Sequence, residues 1–343
     1  MARALYIDGA RRIAVRSLNL GPGRPGEIML QVAAVGICGS DLHYFKDGGI
    51  GSAIIREPFV PGHEFAGRLE DDLPAHGLAA GQLVAVDPSE PCGACEWCAV
   101  GHSNLCPAVR LIGAPPIGGA MTERIWVRPA QLVPVPDGMG PLEAVMLEPL
   151  GVAIHAIDLA RPRLLERVAL LGCGPIGLLV LQVLKAAGAG EVLAAEPLAH
   201  RRAHATRLGA DRVTDSIAEL VDWSGGGCPL VLEATNSPEG FKDAVTAARI
   251  GGRIVLVGIP DGDQYTLPAS EARRRGLKIK LSRRMGEVYP RAIALVASGK
   301  IDVASIVTHR IGLDEAPAAF RNLAENVAGY GKVLVYPNGV EGE

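Results

Sequence analysis

The chain is 343 residues long, 48% hydrophobic and 21% charged, with a formal net charge of −3. That length carries about two domains with full cores, and the near-balanced charge excludes the clustered Lys and Arg of a nucleic-acid footprint. The most apolar stretch, residues 168–184, is interrupted by Gly172, Gly174, Pro175 and Gly177, which excludes a membrane span. Met1-Ala2-Arg3 leads straight into mixed sequence with no secretory pattern, so a cytoplasmic location is expected.

Residues 1–150 carry short β-type runs, such as 27–35, 83–86 and 125–127, between turn signals such as Gly21-Pro22-Gly23 and Gly48-Gly49-Ile50-Gly51. This pattern predicts an antiparallel, partly barrel-like domain with functional loops. Three sites in it bear chemistry. Gly36-Ile37-Cys38-Gly39-Ser40-Asp41 puts a thiol in a glycine-framed loop, Pro61-Gly62-His63-Glu64 sets an imidazole beside a carboxylate, and Glu148 is an acid in an apolar run. Singly each is ambiguous: Cys38 also reads as a small buried hydrophobe, and Glu64 as a structural acid. Together a Cys, a His and a carboxylate leave a fourth zinc position for water or substrate, the pattern of a catalytic metal.

Within the same domain, a lobe at about residues 88–110 holds Cys92-x2-Cys95-x2-Cys98-x7-Cys106. Four thiolates at these spacings close a tetrahedral shell around one zinc and leave no open position, so this second site is structural. An iron–sulfur cluster is the rival occupant, but no other redox feature accompanies it. The crowding of four of the seven cysteines favours metal over disulfides.

From about residue 165 the rhythm changes to alternating strands and helices. Strands are expected at 168–172, 191–196, 230–234 and 253–258, with helices at 175–187, 200–208 and 240–248. This predicts a doubly wound parallel sheet, the α/β Rossmann type, over residues 151–285. Gly172-Cys173-Gly174-Pro175-Ile176-Gly177 follows a strand and opens a helix, the context in which a G-x-G-x-x-G run binds a dinucleotide. Glu196, 19 residues beyond Gly177, can accept the ribose hydroxyls and repel a 2′-phosphate, favouring NAD. Arg201 and Arg202 weigh slightly the other way. The run Arg273-Arg274-Arg275 reads as a helix end or subunit contact. Residues 286–343 are expected to return to the first domain.

Taken together, these motifs resemble the zinc-containing medium-chain dehydrogenases, and within them the sorbitol, xylitol and related polyol dehydrogenases. The resemblance spans essentially the whole chain, continuing through Glu148-Pro149-Leu150-Gly151 and Val307-Thr308-His309-Arg310. It implies a GroES-like, mainly β catalytic domain beside the Rossmann domain, with one catalytic and one structural zinc. It further implies that Cys38, His63, Glu64 and Glu148 form the catalytic zinc site, with Glu64, Glu148 or water completing the shell. By the same resemblance Ser40 touches the reacting oxygen, His43 ends a proton relay, and Tyr44 and Arg284 meet the hydroxyls of a polyol. Met285 and Gly286 depart from the sorbitol pattern. A homodimer or homotetramer is implied, with a small-molecule alcohol as partner.

The expected reaction is oxidation of a secondary alcohol by hydride transfer to NAD. Threonine, a vicinal diol such as butanediol, or a sugar acid are the rival substrates. A zinc-free quinone reductase and a non-catalytic NAD- and zinc-binding protein are the readings from other classes.

Overall fold

A computed structural model describes residues 1–340. The chain divides into two compact units: Met1–Glu148 together with the chain from Val303 onward, and Pro149–Asp302.

The first unit opens with a hairpin, β1 (Ala2–Gly9) and β2 (Arg12–Leu18), followed by β3 (Ile28–Gly36) and helix α1 (Gly39–Asp47). A short hairpin, β4 (Gly49–Ile50) and β5 (Ala53–Ile54), leads to β6 (Glu64–Leu69) and β7 (Leu83–Val86). The cysteine lobe then rises from β8 (Ser89–Glu90), carries the one-turn helix α2 (Glu96–Ala99) and returns through β9 (Arg110–Leu111). Strands β10 (Arg124–Val127) and β11 (Leu132–Pro134) precede helix α3 (Pro141–Ala160).

The second unit alternates strictly. Its strands are β12 (Val168–Leu171), β13 (Val192–Ala195), β14 (Arg212–Thr214), β15 (Cys228–Glu233), β16 (Ala248–Leu256) and β17 (Lys278–Leu281). Between them run α4 (Pro175–Ala186), α5 (Ala199–Arg207), α6 (Ile217–Ser224), α7 (Gly240–Ala247) and α8 (Ala269–Arg274), and α9 (Tyr289–Ala297) follows. The chain then returns to the first unit as β18 (Val307–Gly312), α10 (Ala316–Ala324) and β19 (Lys332–Tyr336).

The six strands of the second unit are parallel in the order β14-β13-β12-β15-β16-β17. Val-Ala-Leu-Leu of β12 and Val-Leu-Ala-Ala of β13 are buried throughout, the apolar runs demanded when helices cover both faces. Pro229 cannot donate to a ladder, and the register between β15 and β16 shifts where it stands, between Cys228 and Leu230. Helix α4 starts at Pro175, whose fixed φ suits a first helical position.

Residues 286–302, assigned from sequence to the first domain, lie in the second unit. Two contacts hold them there. Gln182 of α4 donates to Asp302 O at 3.0 Å and accepts from Asp302 N at 2.8 Å. Met285 and Val288 close over Gly151 of α3, where a Cβ would lie 2.8 Å from Val288 Cγ2.

In the first unit a seven-stranded sheet runs β11-β7-β6-β3-β19-β18, with β10 paired to the start of β3. Strand β3 is central: β6 lines one edge, while β10 and β19 share the other. Phe45 of α1 and Phe320 of α10, both fully buried, meet edge to face with centroids 5.9 Å apart. Among the described residues, no helix is long and apolar enough to cross a membrane.

Arg275 resolves the basic run. Its guanidinium donates to Val245 O (3.2 Å), Thr246 O (3.1 Å) and Ala248 O, the carbonyls left open at the end of α7, and pairs with Glu271 at 2.7 Å. Arg275→Ala is expected to destabilise the protein by about 2 kcal/mol, the scale of hydrogen bonds from a charged donor. A urea midpoint equal to wild type would remove this capping role.

Candidate metal centres and dinucleotide site

The first cluster forms because two loops leave the same end of one sheet. Gly36, the last residue of β3, lies opposite Glu64, the first of β6. Cys38 follows as the residue capping α1, and His63 immediately precedes β6. One ligand atom from each of Cys38, His63 and Glu64 lies within 4.8 Å of the others. Gly36 is required by space: a Cβ there would overlap Glu64 Oε2 and lie 3.0 Å from Lys332 Nζ.

Two residues absent from the sequence-derived site hold this cluster in place. Lys332, the first residue of β19, is 2% exposed; its ammonium pairs with Glu64 and donates to Ile37 O at 3.1 Å. Asp41 is fully buried and accepts from Cys38 N at 2.9 Å and Gly62 N at 3.1 Å. It thereby ties the two ligand-bearing loops together, with Oδ1 3.8 Å from His63 Nδ1. Asp41 could have been found from its own motif. For Lys332 the signal was a lone charge opening the apolar run Lys-Val-Leu-Val-Tyr.

The electrostatics are those of a cation site. Burial pushes the Cys38 thiol up, and Glu64 adds to this, while Lys332 and the Ser40 hydroxyl oppose it. Burial raises the Asp41 carboxyl against the pull of His63 and two backbone donors. Glu148 is pushed up to about 7 by burial and by Glu64, with His63 and Lys332 opposing. Burial would lower Lys332, yet Glu64, Cys38 and Glu148 hold it above the usual lysine range. His63 Nδ1 is buried without a hydrogen-bond partner. Thiol, imidazole and carboxylate thus converge on one point where a dication would relieve their mutual repulsion, and this donor set fits zinc. Glu148 feels the charges of the cluster but supplies no atom to the group lying within 4.8 Å.

The neighbouring residues of α1 are well packed. His43 is 7% exposed, with Nδ1 3.3 Å from Asp47 Oδ2. Tyr44 is 5% exposed, and its ring meets Phe59 edge to face at 5.6 Å. Arg284 belongs to the second unit and sits at a left-handed φ of 53°.

In the lobe, Cys92, Cys95, Cys98 and Cys106 bring their sulfurs within 4.8 Å of one another. Cys95 Sγ lies 3.5 Å from Cys98 Sγ, and Cys92 N donates to Cys106 Sγ at 3.4 Å. The backbone donors of Ala94 and Cys95 lower the Cys92 thiol to about 6, while desolvation and its thiol neighbours raise Cys98 to about 12. Four thiolates cannot coexist here without a cation, and zinc fits that requirement. At the root of the lobe, Glu90 pairs with Arg24 at 2.9 Å, Arg110 at 3.3 Å and Arg128.

The glycine-rich turn lies between β12 and α4. Gly172 adopts φ 86°, and Gly177 packs so closely on the turn that a Cβ would overlap Gly172 O. Glu196 follows β13, 3% exposed, and its two oxygens accept from Cys173 N at 2.8 Å and Leu198 N at 3.0 Å. The carboxylate is therefore locked against the turn itself. Arg202 is held by Glu196 O (2.9 Å), Pro197 O (2.7 Å) and Asp215 (3.4 Å). Arg201 reaches the turn, with Nη1 3.8 Å from where a Gly174 Cβ would stand.

Replacing Lys332 with Met should destabilise the protein by about 3–5 kcal/mol, because it strands the Glu64 charge in a buried site. Adding Glu64→Met should recover most of that loss. Equal denaturation midpoints for wild type and Lys332→Met would show that the pair contributes nothing.

Residues 24–137 match the family described as alcohol dehydrogenase GroES-like domain, and residues 175–298 match zinc-binding dehydrogenase. Sorbitol dehydrogenase of Bacillus subtilis is 32% identical, covering 98% of this chain and 97% of its own. A zinc-binding dehydrogenase of Sinorhizobium meliloti, solved with NADP, superposes with a TM-score of 0.87 at 31% identity, covering 98% of this chain and 99% of that one. An Escherichia coli alcohol dehydrogenase solved with NADH gives 0.86 at 27% identity, with the same coverages. Matched over 98% of its length and carrying two clusters able to hold a metal ion, the chain belongs to the zinc-binding alcohol dehydrogenase family and is a zinc-dependent, nicotinamide-linked oxidoreductase of alcohols.

Proposed function

We propose that this enzyme oxidises a secondary hydroxyl of a polyol to the ketone and passes the hydride to NAD. The observation that carries the reading is the convergence of Cys38, His63 and Glu64, with the second acid Glu148 beside them. The 32% identity to sorbitol dehydrogenase over nearly the whole chain supports a polyol as substrate.

Cys38, His63 and Glu64 hold the catalytic zinc, and the four lobe cysteines hold the structural one. When bound, zinc supplies Lewis-acid polarisation of the substrate hydroxyl, and the nicotinamide supplies the hydride acceptor. Ser40 and His43 carry the released proton outward. Glu148, raised to about 7, can take a proton near neutral pH or relieve Glu64 as a ligand. Tyr44 and Arg284 are assigned to the substrate hydroxyls; the guanidinium can engage several oxygens at once.

For the cofactor, Gly172, Gly174, Pro175, Ile176 and Gly177 form the pyrophosphate turn, and Arg201 approaches it from α5. Glu196 would accept the ribose hydroxyls and repel a 2′-phosphate, and Arg202 is occupied by main-chain carbonyls and Asp215. Both features favour NAD, although one relative was solved with NADP. The enzyme works in the cytoplasm as a homodimer or homotetramer. Strand β17, at one end of the six-stranded order, supplies an edge for pairing, and Leu281 on it is 64% exposed.

NADH formation should be followed with sorbitol, xylitol, galactitol, threonine and 2,3-butanediol. Turnover is expected with a polyol, and chelation of the metal should abolish it. Turnover confined to threonine or butanediol would remove the polyol assignment. Glu196→Ala should raise the ratio of kcat/KM for NADP over NAD by roughly tenfold, about 1.4 kcal/mol of discrimination. An unchanged ratio would mean that Glu196 does not select the cofactor.

A further inference from the structure

The segment between β9 and β10 lies against the loop carrying His63 with main chain touching main chain. Gly119 N donates to Val60 O at 2.6 Å, Met121 N to Pro61 O at 3.0 Å and Ala120 N to Gly62 O at 2.8 Å. Asp41 accepts from Gly62 N of the same loop at 3.1 Å. Three consecutive carbonyls leading to His63 are thus fixed by one short stretch.

Glycine at 119 makes this approach possible. Its φ is not in the left-handed region, so its own conformation would accept any residue. Yet a Cβ there would overlap the carbonyl oxygens of Pro61 and Gly62 and lie 2.5 Å from the Pro61 carbonyl carbon. Gly113 approaches the same loop, where a Cβ would lie 2.5 Å from Gly62 O and 3.1 Å from His63 Cβ. Gly118, the adjacent residue, has nothing within 4 Å of its Cβ position. Two neighbouring glycines therefore face opposite demands, and only the one against the His63 loop is constrained by its surroundings. Gly62 is hemmed in reciprocally, with its Cβ position 2.9 Å from Met121 Cγ.

We propose that Gly119 is a positioning residue for the catalytic metal: it lets the 113–121 segment seat the Pro61–Gly62 main chain, and this fixes how far the His63 imidazole reaches. The inference rests on His63 being a ligand of that metal. An added methyl group cannot be absorbed by a flexible side chain, because the atoms it meets are carbonyls. The two main chains cannot keep their present separation, so the place of His63 relative to Cys38 must change.

The test uses the full-length enzyme with both zinc ions exchanged for cobalt(II), whose visible spectrum distinguishes a one-thiolate from a four-thiolate site. The dissociation constant at the one-thiolate site is read by chelator competition. Gly119→Ala should weaken that site at least tenfold and alter its spectrum while leaving the four-thiolate signal intact. Gly118→Ala should stay within twofold of wild type. Equal affinity in Gly119→Ala and wild type, or equal weakening in both alanine variants, would overturn the proposal. If Gly119→Ala does not fold, Met121→Ala removes packing behind Gly62 without inserting an atom. It should weaken the same site several-fold, and no change would equally overturn the proposal. His63→Ala separates the two layers of the argument. If it leaves the one-thiolate signal untouched, the ligand reading is wrong; if it abolishes that signal while Gly119→Ala does not affect it, only the positioning role is lost.

Discussion

The first unit depends on a buried charge balance around Glu64. A carboxylate 1% exposed, beside a half-buried thiol and a second, half-buried acid, cannot persist without a cation. Lys332 supplies one from inside the protein, and the donor set is built to receive another. The resident ammonium keeps the cluster from being wholly anionic before the metal arrives. Gly36 exists as glycine so that the two charged groups can meet. Strand order, loop direction and burial at this sheet end all serve that small volume.

What could be read from the sequence was local. The glycine-rich turn is six consecutive residues whose place between a strand and a helix follows from their order, and the cysteine lobe is four thiols within fifteen positions. The alternation of strands and helices was equally visible, because buried parallel strands are continuous apolar runs. Lys332 was not visible as a site residue, since its partner lies 268 positions away and nothing in either segment announces the other. The placement of residues 286–302 was also out of reach, because it depends on Gln182 bonding Asp302 across 120 positions.

Close main-chain approach recurs as the means by which both units shape their sites. Gly177 against Gly172 brings a helix start onto its strand, and Gly36 makes room for an ion pair. In each case the missing Cβ matters through what stands opposite, so a glycine's neighbours carry more information than its own dihedral angles. Glu196 follows the same economy of parts. The acid expected to face a ribose also bonds the backbone of the glycine-rich turn, through Cys173 N, and so couples its own position to the shape of that turn.

The ammonium that neutralises Glu64 comes from a strand made after the whole second unit. At roughly 5–20 residues per second on the ribosome, the 268 positions between them correspond to a delay of roughly 15–50 seconds. Throughout that interval the nascent β3 lacks its β19 partner on the edge opposite β6, along Val35 and Gly36, and Glu64 lacks the Lys332 counter-charge. Pro149–Asp302, by contrast, is continuous in sequence and can fold as it emerges. Synthesis therefore allows an order: Pro149–Asp302 can form first, and the Cys38, His63 and Glu64 cluster gains its ammonium only after Lys332 has emerged.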